Sequence, residues 1–307
     1  MKKEFKGVIA GPHLIFTAGV HGDEYEPVLA ATRLSHYLEK NTLLKGKVTI
    51  VPIVNPTAYE TSSRLGEDGL DLARICPGHI DGSSTEKEAA KVSALIAQAD
   101  YLVDMHTGGV MYDIYPLAGY MLHQNEAILQ QQRDMAMAFP LPVIWGTDAT
   151  PDGRTLSVAR DRNIPAIYLE YGGGTGIRSY VIDSYFKGCI NLLSNLGMLN
   201  EISETLPLEE RYWVEDPRTN SGYLQGMMPS PAEGIFEADV TIGQQVTAGQ
   251  CWGAIHNPYT GQSQKVYAAI DGLVFLLRNL VKVKEGDALG GILPITAPGK
   301  VIFQQIS

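Results

Sequence analysis

Apolar and polar positions alternate between two periods along the first two hundred residues. Short β-type runs, dense in Val, Ile, Leu and Phe, fall at 13–18, 47–54, 101–106, 114–118, 142–145 and 166–170. Between many of them the apolar residues recur at helical spacing, over 24–39, 86–98, 126–138, 155–161 and 178–196. Thr85 and Glu88 suggest a capping box at the start of the second of these helices. Strands alternating with helices predict an α/β domain whose mixed or largely parallel sheet is flanked by helices. Chemistry in such a domain is expected at the carboxyl ends of the strands.

From about residue 206 the pattern changes to short β-type runs punctuated by Gly, Pro and Asn, with no convincing helix. Gly234-Ile235-Phe236, followed by VTAGQCWGAI from Val246, is echoed by Gly272-Leu273-Val274, followed by VKEGDALGGI from Val283. Two Gly-turned copies predict a smaller all-β domain of barrel or sandwich type built from similar halves. The expected division is therefore 1–203 for the catalytic α/β domain and 204–307 for the β-rich domain. That tail resembles the architecture of biotinyl and lipoyl carrier domains, which present a lysine on the hairpin between their halves. Here the hairpin reads HNPYTG from His256 and has no lysine, so a structural or lid role is expected.

Composition narrows the field. A chain of 307 residues with 45% hydrophobic and 19% charged content can bury a sizeable core. Its net charge of -10 argues against nucleic acid or an anionic membrane as partner, because both call for a concentrated basic face. No apolar run is long enough for a membrane span, and the N-terminal MKKEFK leads into no signal-like segment, so a cytoplasmic location is expected. Cys76, Cys189 and Cys251 are odd in number and widely spaced, giving neither a disulfide framework nor a Cys-based zinc pattern.

His-x-x-Glu occurs three times, as His21 with Glu24, His36 with Glu39 and His123 with Glu126. The second pair shares a helix face and the third opens a helix, so both read as ordinary surface residues. The first follows a buried strand directly, with Gly19 and Gly22 allowing a tight turn and Glu24 opening a helix. Such a strand end offers two donors on rigid elements, and a catalytic zinc site needs three protein ligands with one position left open. In YLVDMHTGG, His106 ends another strand, and Asp104 shares its face and could orient the imidazole. The bland reading of that pair is a hydrogen-bonded core histidine beside a strand cap. Glu170 ends the apolar run IPAIYL just before three glycines, where burial without a task or partner would be costly. It suits a catalytic base and acid, or else a structural ion pair. Arg64 and Arg74 lie on the long aperiodic segment 55–78, the kind that tends to be functional. One guanidinium could stabilise an oxyanion while another grips a carboxylate. Arg160 is a weaker candidate for that grip.

Taken in order and spacing, GVHGDEYEP, VNPTAY, DLARICPG, DMHTGG and IPAIYLEYGGG resemble the succinylglutamate desuccinylase and aspartoacylase family, a branch of the zinc carboxypeptidase-like hydrolases. The likeness spans the first two hundred residues and extends to the β-rich tail. It implies one Zn2+ per chain on His21, Glu24 and His106, with Glu170 as base and acid. It also implies that Arg64 polarises the carbonyl and Arg74 contacts a substrate carboxylate. The family's Asp-Leu-Asn-Arg is here Asp71-Leu72-Ala73-Arg74, so the asparagine that helps to grip a carboxylate is absent. Either the substrate lacks that carboxylate or another group, Arg160 for example, replaces the grip. The expected activity is metal-dependent deacylation of an N-acyl amino acid or related small amide. A peptide or cell-wall carboxypeptidase or amidase, and an inactive small-molecule binder on the same fold, stand as alternatives. A homo-oligomer is left open.

Overall fold

The computed structural model describes residues 2–223, 228–295, 297–299 and 301–303. Nine strands form the spine of the main sheet: β1 (Lys3–Lys6), β2 (Ile9–Thr17), β3 (Lys45–Val51), β4 (Tyr101–His106), β5 (Tyr112–Met121), β6 (Val143–Thr147), β7 (Ala166–Gly172), β8 (Tyr212–Glu215) and β16 (Val301–Phe303). Across the sheet they stand in the order β1, β3, β2, β4, β7, β5, β6, β8, β16. The four central strands β3, β2, β4 and β7 run parallel, so their carboxyl ends share one edge. β5 runs against β7, and β6, β8 and β16 follow in parallel, which makes the sheet mixed. Both β8 and β16 lie beyond residue 204, yet they extend the sheet built by the first part of the chain.

Alternation along the strands assigns the two faces. Leu14 and Phe16 of β2 point to one side, together with Val103 and Met105 of β4 and Ile167 and Leu169 of β7. On that side they meet α1 (Tyr25–Leu38), α4 (Glu126–Ala138) and α6 (Ser179–Asn195) through Leu34, Met135 and Tyr185. Ile15, Leu102 and Ala166 face the other way, onto α3 (Ser84–Ile96) and α5 (Thr155–Arg160) through Val92, Ile96 and Leu156. Phe16 is fully buried, so Phe16→Ala at the centre of this packing would cost about 3–5 kcal/mol. The expected mixed sheet between helices is therefore present, with small departures. The capping box of α3 uses Ser83 and Glu86 rather than Thr85 and Glu88, because the helix begins two residues earlier. Thr85 instead bonds Asp68, through both its N–H and its hydroxyl. The aperiodic segment 55–78 contains the short α2 (Pro56–Glu60), where Asn55 caps the helix and Pro56 fits its first turn.

The C-terminal β region joins two layers. One is a separate sheet made, in spatial order, of β12 (Ser263–Tyr267), β11 (Cys251–His256), β9 (Gly234–Ala238) and β14 (Lys282–Val283). The other comprises β10 (Gln245–Val246), β13 (Gly272–Arg278) and β15 (Gly290–Leu293), with β13 central. Phe236, Trp252, Val274 and Leu289 fill the space between the layers. The repeat seen in the sequence is interlocked: Val246 of the first half pairs with Gly272 of the second, and Val283 of the second with Gly234 of the first. The turn at 257–262 lies inside the first half, between β11 and β12, while residues 268–271 lead to the second. β13 also reaches past its own layer and pairs antiparallel with β5, Leu276 opposite Ile114.

Candidate active site

The carboxyl-end edge of the central strands gathers the polar residues. β2 stops at Thr17, and the turn through His21 and Gly22 leads into α1, whose N-cap is Glu24. A Cβ on Gly22 would lie 1.9 Å from the Ala58 carbonyl oxygen, so only glycine lets this turn press against α2. β4 ends on His106 beside it, in parallel register with Glu170 of β7. Sequence distance is thus erased by strand order.

Glu24 stands between two imidazoles. Its Oε1 is 2.6 Å from His21 Nδ1 and its Oε2 is 3.0 Å from His106 Nδ1, with Thr107 N–H donating to Oε2 at 3.2 Å. One donor atom from each of the three buried residues lies within 4.8 Å of the others. Two imidazoles and one carboxylate at this spacing suit a divalent transition cation, which would take the place of the proton on His106. The far nitrogens of both rings are also held. His106 Nε2 is 3.1 Å from Asp104 Oδ2, and His21 Nε2 is 3.3 Å from Asp71 Oδ1. Asp104 accepts from Thr17 Oγ1 at 2.6 Å and from Thr155 Oγ1, while the Tyr185 hydroxyl donates to the His106 carbonyl at 2.6 Å. Burial by itself would raise the pKa of Glu24, but the two histidines beside it hold it well below the usual carboxylate range. Burial opposes a charge on His106 too, yet Asp104 and Glu24 push its pKa well above the ordinary value. The carboxylates of Glu24, Asp104 and Asp71 thus bracket both rings, an arrangement that favours a bound cation.

Glu170 is the opposite case. Its Oε2 is shut off from solvent and makes no hydrogen bond among the described residues. Burial raises its pKa to about 8, against the pull of His106. Glu170, His21, His106 and Arg64 line one cavity of about 150 Å³, together with Arg74 and Arg154. Arg64 is anchored to Asp71, with Nε 3.0 Å from Oδ2, and its Nη1 comes 3.5 Å from His21 Nδ1. Asp71 also caps the short 3-10 turn Leu72–Arg74 by accepting from Ala73 N–H at 2.9 Å, which presents Arg74 at the cavity.

The structure brings six of the seven residues singled out in the sequence to this edge. Arg160 is the exception. It ends α5, and its guanidinium is tied to the Ala149 carbonyl, to Asp152 at 2.6 Å and to Asp161 at 2.8 Å, outside the cavity lining. The arginine that does reach the cavity is Arg154, the N-cap of the same helix. Its guanidinium has no partner among the described residues, and burial lowers its pKa, as it does for Arg74. No local signal marked Arg154: it follows β6, which runs against β4 and β7, so strand direction alone would place it at the other edge of the sheet. Asp148 lines the cavity as well, its carboxylate accepting from Thr150 N–H, Thr150 Oγ1 and Asn220 N–H at 2.7–2.9 Å. From beyond residue 204, Gly222 contributes to the wall.

Comparison with known proteins places the chain in a family and its fold among solved structures. Residues 10–196 match the model of the succinylglutamate desuccinylase/aspartoacylase catalytic domain. Over 294 residues, 93% of this chain and 83% of the relative, the sequence is 31% identical to the N-alpha-acetyl-L-2,4-diaminobutyric acid deacetylase of Halomonas elongata. Among solved structures, a succinylglutamate desuccinylase/aspartoacylase from Rhodobacter sphaeroides superposes with a TM-score of 0.82 at 26% identity, covering 95% of this chain and 87% of that one. The product-bound ectoine utilization protein EutE (DoeB) from Ruegeria pomeroyi superposes with a TM-score of 0.81, also at 26% identity, and with the same coverage of both chains.

Proposed function

The chain belongs to the succinylglutamate desuccinylase/aspartoacylase family, and from that premise we propose that it is a zinc-dependent hydrolase that removes the acyl group from an N-acyl amino acid. The observation that carries this reading is the juxtaposition of the His21, Glu24 and His106 cluster with the unpartnered Glu170 across one small cavity. Zinc on those three residues would supply Lewis acidity, polarising the scissile carbonyl and making water a nucleophile at neutral pH.

The chain's own residues do the rest. Glu170 accepts a proton from the attacking water and delivers it to the departing nitrogen, a task favoured by a carboxyl pKa near neutrality. Arg64, fixed in place by Asp71, faces the charge that develops on the carbonyl oxygen. Arg74 and Arg154 grip the substrate carboxylate, Arg154 rather than Arg160 taking the role that Ala73 leaves open. Asp104 and Asp71 hold the two imidazoles from behind and keep both rings from turning.

The relative named for acting on acetylated diaminobutyrate supports an acetyl group on a diamino acid as the preferred substrate. Asp148 offers an anion for the free side-chain ammonium: its hydrogen bonds outweigh burial and keep its pKa low. A cavity of about 150 Å³ favours such a small amide over a peptide or cell-wall fragment. An intact ligand cluster beside a free carboxyl speaks against an inactive binder. The test is turnover of a panel of N-acyl amino acids and short peptides by protein with stoichiometric zinc, alongside metal analysis of untreated protein. N-acetylated diamino acids should give the highest kcat/KM. Hydrolysis of peptides alone, or of nothing in the panel, would overturn the assignment.

A further inference from the structure

A second cavity, of about 460 Å³, opens where β5, β7 and α6 meet the C-terminal β region at Ile242. Its wall is made largely of rings: Tyr115, Tyr171 and Tyr180, with Pro116 and Pro142. The rings of Tyr171 and Tyr180 lie 5.6 Å apart and tilted by 46°, like two sides of a corner. Among these rings the chain places one carboxylate, Asp113. Among the described residues no side chain pairs with it, and its hydrogen-bond support comes from the Ile114 N–H. The neighbouring guanidinium of Arg178 is tied elsewhere, to Glu26 at 2.9 Å and to the Gly173 carbonyl.

We propose that this cavity binds a small organic ammonium ion, with its charge toward Asp113 and its alkyl groups against the tyrosine rings. Aromatic faces carry negative potential and attract alkylated cations, whose apolar surface the rings also cover. A bare metal ion would need several oxygen ligands, and only one carboxylate is present among the lining residues. The described lining residues include no Lys or Arg to hold an anion. Burial raises the pKa of Asp113, and a bound cation would relieve that cost. Ile114 lines both this cavity and the active-site cavity, and it pairs in register with Gly172, two residues past Glu170. An occupant would therefore sit one strand away from the reacting groups. The inference concerns binding and stands apart from the hydrolase reading.

The probe is tetramethylammonium chloride, titrated into the full chain while backbone amide chemical shifts are followed, with sodium chloride at equal ionic strength as the control. Saturable shifts are expected at Gly172 and Ser184, which line this cavity and not the other. Asp113→Asn and Tyr180→Ala should each weaken binding by about tenfold, on the scale of a desolvated cation over an aromatic ring. Melting temperatures close to wild type would show that both variants are folded. Asp148→Asn, in the other cavity, should leave the titration unchanged. The proposal is overturned if the wild-type chain shows no saturable shift, if Asp113→Asn binds as tightly as wild type, or if Asp148→Asn is the variant that loses binding.

Discussion

The two walls of the active-site cavity are built on opposite plans. On one wall every polar group is engaged: Glu24 bridges His21 and His106, whose far nitrogens rest on Asp71 and Asp104, and Asp104 takes two threonine hydroxyls. On the other, Glu170 Oε2 and the guanidinium of Arg154 have no protein partner among the described residues. A closed network fixes geometry, whereas open groups keep their hydrogen-bonding capacity for something that arrives. The first wall is a mount and the second a set of tools.

That contrast can be broken at several points. Glu170→Gln removes the proton carrier and leaves the mount intact, so kcat should fall by about 10³-fold. Metal content, measured by elemental analysis, should match wild type. Loss of metal together with activity would show that the walls are not separable.

The same variant has a pH signature in chelator-treated protein. The pKa of Glu170 in the folded chain, about 8, lies above the 4.5 of an ordinary glutamate, so the folded state keeps the proton longer. Its contribution is fully present below pH 4.5 and is lost as pH rises toward 8. Each tenfold difference in proton affinity between the folded and unfolded chain is worth about 1.4 kcal/mol, so the loss amounts to a few kcal/mol. Urea denaturation should find Glu170→Gln more stable than wild type at about pH 8.5, with the gap closing toward pH 4.5.

Asp104→Asn tests the mount itself. The carboxylate behind His106 would be lost while the ring remains, and zinc affinity measured by competition with a chelator should fall by about 10–100-fold. The smallest effects concern the arginines. Arg154→Ala should raise KM by about tenfold, the worth of one charge-assisted hydrogen bond, with a lesser change in kcat. Arg160→Ala should leave both constants within about twofold of wild type, because its guanidinium lies outside the cavity lining and is bound to Asp152, Asp161 and the Ala149 carbonyl instead. If the two variants behaved in reverse, the carboxylate grip would have to be moved.

Much of the mount was legible in the sequence because each piece carries its own local signal. His21 and His106 each follow an apolar run and precede a glycine turn, and Glu170 is a lone charge at the end of such a run. The arginines were harder to read. Arg154 and Arg160 sit on one short helix, and which of them faces the cavity depends on how α5 lies against the sheet. The pairing of β8 and β16 with the main sheet was also hidden, since a strand's partner is set by register with distant segments and not by its own composition. The interlocked halves show the same limit: the repeat is visible as text, but the exchange of β10 and β14 between layers is not.

The antiparallel seam between β13 and β5 bears on any attempt to divide the chain. Cutting after residue 203 would strip the cover from Tyr112, Asp113 and Ile114 and leave a ribbon of unsatisfied peptide groups at the margin of the sheet. Such a fragment would keep every residue of the His21, Glu24, His106 and Glu170 constellation and still tend to stick to its own copies. Solubility, rather than chemistry, would be the first property to go.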